Sequence, residues 1–133
     1  LLTYSLFRCN IPLCVYMYME AIMEQLSELF KVLSDSTRLR ILILLYQQDL
    51  CVCELTEIMN ESQPKISKHI AKIRSNNLVT TIRNEQYIYY SLNRNHLVLM
   101  NQLRSLLPGI NQTEPFQSDL QRLSTIESFV CTR

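Results

Sequence analysis

Glycine is almost missing from the 133 residues: Gly109 is the only one. A chain with one glycine can form neither a GxGxxG dinucleotide loop nor a GxxxxGK[ST] phosphate cradle, which excludes the nucleotide-binding α/β folds. Excess charge is missing too. The formal net charge is +1, so any claim on nucleic acid or membrane must rest on local charge. A regular cysteine framework is also absent. Cys9, Cys14, Cys51, Cys53 and Cys131 are odd in number and unevenly spaced, in a chain long enough to bury a core without bridges. That usage predicts a reduced, cytoplasmic protein. The one long apolar stretch, residues 1–19, carries Arg8 as its only basic residue. It is broken by Asn10-Ile11-Pro12 and ends without a small-residue cleavage site, so it fits neither a signal peptide nor a membrane span. Met17, Met19 and Met23 stand just ahead of the first well-patterned helix. One expectation is therefore that residues 1–18 lie upstream of the start codon used in the cell.

What is present, 47% apolar and 19% charged residues, suits a globular domain. Ile22, Met23, Leu26, Leu29, Phe30 and Leu33 recur at helical spacing and predict a first helix over Glu20 to Leu33. Ser34-Asp35-Ser36 offers cap oxygens for a second, Thr37 to Tyr46, that is apolar nearly all round. A third is expected from Cys51 to Met59, closed by Asn60 in the left-handed conformation. Ser62 is placed to cap a fourth that runs to about Ser75, with Pro64 in its first turn and Ile66, Ile70 and Ile73 on one face. Leu78 to Arg83 and Tyr87 to Leu92 read as a β-hairpin around Asn84-Glu85-Gln86, with Asn84 supplying the positive φ. A fifth helix from Leu97 is expected to stop at Pro108-Gly109. Phe116, Leu120, Leu123, Ile126 and Phe129 suggest one more.

Helix, helix, short turn, helix, hairpin is the order of a winged helix-turn-helix, a mainly α fold with a β-hairpin wing. Charge supports that reading. Lys65, Lys68, Lys72, Arg74 and Arg83 fall between Ser62 and Asn84, where there is no Asp or Glu. Most lysine runs are solvated faces, but here the basic residues gather on the element that would enter a major groove. Ser62, Gln63, Lys65, Ser67, Lys68, His69, Lys72, Arg74 and Arg83 are the candidate contacts to double-stranded DNA. The hairpin tyrosines suit packing, and no four-stranded stacking platform is present, so RNA is disfavoured.

Cys51-Val52-Cys53 opens the third helix. A helix N-terminus favours thiolate, and thiolates select soft ions such as arsenite, antimonite, cadmium, lead or zinc. The plainer alternative is a pair of small buried apolar side chains. On a regular helix, positions i and i+2 point about 200° apart, so shared capture of one ion requires that the first turn unwind. An enzyme with a cysteine nucleophile would need a base. The only histidines, His69 and His96, lie on the recognition face and at the start of the fifth helix, so no catalytic site is expected.

The strings LFKVLSDSTRLRILILL, DLCVCEL and SQPKISKHIAKIRSNNLV, with the hairpin ending YYSL, resemble the ArsR/SmtB family of metal- and metalloid-responsive repressors, in particular its arsenic-responsive branch. The likeness covers about Leu26 to Leu107. It implies a homodimeric winged-helix repressor of operator DNA, with no permanent cofactor, that is released when an ion binds Cys51 and Cys53. Gln63 to Lys72 would be the recognition helix. Three positions depart from the pattern. Thr56 stands where the arsenic site has a third cysteine. Cys9 and Cys14 match the N-terminal cysteines of a cadmium- and lead-responsive group only if the extension is translated. His96 follows Arg94 rather than an Asp, with no further His or carboxylate from Leu97 to Leu107, so the family's zinc site on the fifth helix is not expected. His96 reads instead as a surface or capping residue.

The expected organisation is an extension over residues 1–19, a DNA-binding and dimerisation domain over 20–109, and a partly helical tail over 110–133. Dimerisation is expected through the first and last helices. Relief by a thiol-redox change is the alternative to relief by an ion.

Overall fold

The computed structural model describes residues 12–126. The chain divides between Lys31 and Val32 into two units. Helix α1, Leu13–Leu33, makes up the described part of the first unit and ends in the second. It begins seven residues before the predicted Glu20. Pro12 starts it rather than breaking it, because a proline ahead of a helix forfeits no intrahelical bond, and its carbonyl accepts from the Val15 and Tyr16 N–H groups at 2.9 and 3.1 Å. Leu13, Met17, Tyr18, Met19 and Met23 are exposed along it.

The second unit follows the predicted order. Helix α2, Ser36–Gln47, is capped by Asp35, whose carboxylate accepts from the Arg38 N–H at 3.0 Å. Every residue from Ile41 to Leu45 is at most 1% exposed. A helix apolar all round must be covered all round, and α2 packs against the segments Gln63–Ser75, Tyr87–Leu92, Leu97–Ile110 and Phe116–Thr125. Strand β1, Leu50–Cys51, leads into α3, Val52–Met59, and Asn60 ends that helix at φ 52°, ψ 47° as expected. Helix α4 spans Gln63–Ser75. Strands β2, Val79–Asn84, and β3, Tyr87–Leu92, form the hairpin, and the sheet order is β1-β3-β2, antiparallel throughout. Helix α5 is Leu97–Ile110 and α6 is Phe116–Thr125.

Several local expectations are corrected. Cys51 is not helical: it pairs in the sheet and occupies the N-cap of α3 with extended φ −90°, ψ 170°. Ser62 sits at the N-cap of α4, but its side chain makes no cap hydrogen bond. The positive φ of the hairpin turn belongs to Glu85, at 55°, not to Asn84, which still pairs with Tyr87 as the last residue of β2. Pro108-Gly109 does not stop α5, which continues to Ile110. In a final turn, proline forfeits a single backbone bond, and the Thr113 N–H and hydroxyl bond the Ile110 and Gly109 carbonyls just beyond. Helix α6 confirms the last predicted helix as far as Thr125; Phe129 lies outside the described residues. His96 is a capping residue, its Nδ1 accepting from the Leu99 N–H at 3.2 Å.

One polar contact inside this core had no sequence signal. The Arg40 guanidinium donates to both Asp119 carboxylate oxygens, at 2.6 and 2.8 Å, and to the Met59 carbonyl at 3.1 Å, with Glu61 at 3.6 Å. Asp119 is 1% exposed. Among the described residues, no buried side-chain nitrogen or oxygen lacks a partner, and no helix is long and apolar enough to cross a membrane.

Removing one member of a buried pair strands the other, so Asp119→Ala should cost about 3 kcal/mol of unfolding free energy. Arg40→Lys should recover the native stability only in part, since an ammonium cannot grip both carboxylate oxygens in the same fork. Denaturant unfolding of the three proteins checks both.

Candidate functional site

The spacing of Ile66, Ile70 and Ile73 buries one stripe of α4 and turns the rest outward. Gln63, Lys65, Ser67, Lys68, Lys72 and Arg74 are exposed, as is Ser62 at the N-cap, while His69 is half-buried. The Lys65 ammonium bonds Glu61 at 2.9 Å. That hydrogen bond, opposed by burial and aided by Arg40 and His69, holds the Glu61 carboxyl below its ordinary value. The His69 Nδ1 is 3.6 Å from Asp35.

Two recesses flank this helix and share Ala71 and Ser75. One, of about 450 Å3, is lined also by Arg38, Lys68, His69 and Lys72, and is basic. The other, of about 400 Å3, is lined also by Ser67, Ile70, Arg74 and Tyr90. Arg38 and Tyr90 were not among the predicted contacts. Arg38 reaches the recess because its Nε donates to the Val32 carbonyl at 2.9 Å and it pairs with Asp35, a fold-back that spacing does not reveal. Arg83 is exposed near the tip of the hairpin, its Nε donating to the Glu85 carbonyl at 3.3 Å. The hairpin base is tied to the end of α4 by Asn93, which bonds the Leu78 carbonyl through its N–H and the Asn77 carbonyl through its amide.

The thiol pair is split by environment. Cys51 is 2% exposed and, against the reduced state expected from the cysteine usage, disulfide-bonded, whereas Cys53 is exposed with a free thiol. Because Cys51 precedes the helix, the opposition of i and i+2 on a regular helix does not apply. Soft-ion capture by both requires a reduced Cys51 turned outward. Glu54, itself buried, closes the first turn of α3 by accepting from the Cys51 N–H at 2.9 Å. Across the sheet Cys51 faces Tyr89, whose phenol is pushed above its ordinary pKa by burial and then by Glu54. Thr56 bonds its hydroxyl back to the Val52 carbonyl at 2.8 Å. Cys14 is exposed and free in the first unit, and Cys9 lies outside the described residues. Among the described residues, no three His, Cys, Asp or Glu side chains gather into a metal-holding group, so the pair alone offers an ion two sulfurs.

Residues 35–81, from the cap of α2 into β2, match the family described as "Bacterial regulatory protein, arsR family". The chain is 49% identical over 67 residues to an arsenic resistance transcriptional regulator, ArsR2, from Pseudomonas putida, a match covering 50% of this chain and 58% of that protein. It is 44% identical over 79 residues to the arsenical resistance operon repressor of Staphylococcus xylosus, covering 59% and 76%. The chain thus spans little more than half the length of the Pseudomonas relative. The structure of reduced HlyU from Vibrio cholerae superimposes with a TM-score of 0.62 at 28% identity, over 68% of this chain and 94% of that one.

Asp35 links the cap of α2 to the α4 face and titrates accordingly. Burial pushes its carboxyl up, but the Arg38 N–H, the Arg38 guanidinium and His69 outweigh that and hold it below its ordinary value. A depressed carboxyl stabilises the fold above its unfolded pKa and loses that contribution as pH falls through the folded one. Asp35→Ala should cost about 1 kcal/mol at neutral pH, as for a lost N-cap. The gap from wild type should close under acid conditions in thermal melts run against pH.

Proposed function

We propose that this chain, which belongs to the arsR family of bacterial regulatory proteins, is a cytoplasmic, homodimeric, non-enzymatic repressor of transcription. A soft metalloid or metal ion at Cys51 and Cys53 releases it from operator DNA. The observation that carries the DNA half is the exposed, acid-free face of α4 standing on a buried isoleucine stripe. Lys68 and Lys72, with Arg38 and His69 in the basic recess, suit phosphates; Gln63 and Ser67 are of types that bond base edges. Arg83 on the hairpin suits the flanking backbone. Exposed apolar residues on α1, and Leu97 and Leu106 on α5, support a second copy as their cover, and two copies would present two α4 helices to a two-fold-symmetric site.

The inducer half rests on the Cys51-x-Cys53 spacing beside the turn that places α4. Only Asn60, Glu61 and Ser62 separate α3 from α4, so an ion that draws Cys51 from its strand and frees Glu54 from its cap disturbs the support of the DNA-reading helix. Arsenite or antimonite is favoured; cadmium, lead or zinc are alternatives of the same chemistry. Arsenite prefers three sulfurs, and with Thr56 in place of a third cysteine the remaining donor comes from Cys9, Cys14 or solution. The disulfide at Cys51 favours a second reading, in which oxidation of that thiol rather than ion capture moves the same turn.

Lys68→Ala with Lys72→Ala should weaken operator binding and reduce the slope of log affinity against log salt by up to about two, one for each phosphate that a lysine neutralises. An unchanged slope removes both from the phosphate contacts. Cys51→Ser with Cys53→Ser should hold DNA about as well as wild type yet no longer leave it when arsenite is added to reduced protein, because serine is not a soft ligand. Wild-type release by the double variant would refute the ion site.

A further inference from the structure

Cys51 and Cys53 differ in burial, so one ion held by both requires one of them to move. Sulfurs sharing an ion at about 2.3 Å each lie within roughly 4 Å of one another. Cys53 is already outside; Cys51 is 2% exposed and is the one that turns. Its backbone is fixed at two points, the N–H held by Glu54 and the strand pairing with Tyr89.

That strand is a weak joint. Strand β1 meets β3 only at Leu50↔Tyr90 and Cys51↔Tyr89. Strand β2 meets β3 along its whole length, from Val79↔Leu92 to Asn84↔Tyr87. Pulling Cys51 outward therefore breaks β1 from β3 before it breaks the hairpin, and the hairpin moves as one piece. Alternation along β3 sends neighbouring side chains to opposite faces. Tyr89, directly opposite Cys51, shares its face. Tyr90 stands on the other face and lines the recess against Ser67, Ile70, Ala71 and Arg74 of α4.

We infer that β3 is the transmission element of the switch: Tyr89 stands opposite Cys51 on one face, Tyr90 shares a recess with α4 on the other, and ion capture at Cys51 shifts both. This rests on the ion-site reading above. It assigns Tyr89 as a positioning residue, neither a ligand of the ion nor a contact to DNA.

The test uses reduced full-length protein labelled with 3-fluorotyrosine, cadmium chloride as the probe, and operator DNA. The Tyr90 19F resonance is identified by its loss in Tyr90→Phe. Cadmium should bring up thiolate-to-metal absorption, move the Tyr90 resonance and lower DNA affinity by about tenfold or more, a usual size for allosteric coupling. In Tyr89→Ala the absorption should persist while the Tyr90 shift disappears and the loss of DNA affinity shrinks to less than about threefold. Tyr89→Phe, which keeps the ring, should behave as wild type. A wild-type Tyr90 resonance that stays put while cadmium absorbs and DNA is released would overturn the inference and leave the ion site standing. So would full coupling in Tyr89→Ala. No cadmium absorption in wild type would overturn the ion site, and this inference with it.

Discussion

The placement of α4, the helix proposed to read DNA, depends on one guanidinium. Arg40 projects from α2, the element apolar on every side, and its fork is filled by Asp119 of α6, the Met59 carbonyl at the end of α3, and Glu61 in the turn before α4. Desolvating such a pair consumes much of its attraction, so it adds little net stability while making its loss expensive. What it contributes is position. The carbonyl end of α3 and the start of the turn are pinned to the helix with the unbroken buried run Ile41–Leu45, and α4 leaves that turn only at Gln63.

Helices α2 and α4 thus form one frame, held together by shared carboxylates. Glu61 makes the first joint: it pairs with Arg40 inside and Lys65 outside, so the first charged residue of the α4 face is registered against the core. Asp35 makes the second at the start of α2, capping that helix while standing 3.6 Å from His69. Two carboxylates, each shared between a structural role and a basic residue of α4, aim its cationic face.

The helix order, the hairpin, the isoleucine stripe and the left-handed Asn60 were legible because each follows from periodicity or from one residue's backbone preference. The basic face was legible because it needs only the helix and the charges. Illegible were features made by distant residues. Asp119 reads as an ordinary polar residue near the start of an amphipathic helix, and nothing local says that Arg40, far away in sequence, will bury it. Strand β1 has only two residues, too short for any alternation to register, so Cys51 read as the first turn of a helix rather than a strand end capping it. Glu85 displaced Asn84 at positive φ because the paired strands run to Asn84 and Tyr87, leaving Glu85 and Gln86 alone to make the turn. Pro108 reads as a breaker in the sequence, but so close to the end of α5 at Ile110 it forfeits only one helical bond.

If Cys51 and Cys53 hold the ion as proposed, the shortness of β1 bears on how large a signal the fold can send. A ligand shifts an equilibrium only by the difference in its affinity for the two states. Losing two register pairs and the bond from the Cys51 N–H to Glu54 costs a few hydrogen bonds at about 1 kcal/mol each, a sum similar to the roughly 1–3 kcal/mol of typical allosteric coupling. A longer β1 would hold Cys51 in the sheet against the ion, which would then bind without effect or not at all. Without β1, the thiols would have no purchase on β3 and α4 would be indifferent to their state. Under the proposed mechanism, two residues of strand place the joint between those limits, weak enough for an ion to open and connected enough to β3 for the change to reach Tyr90.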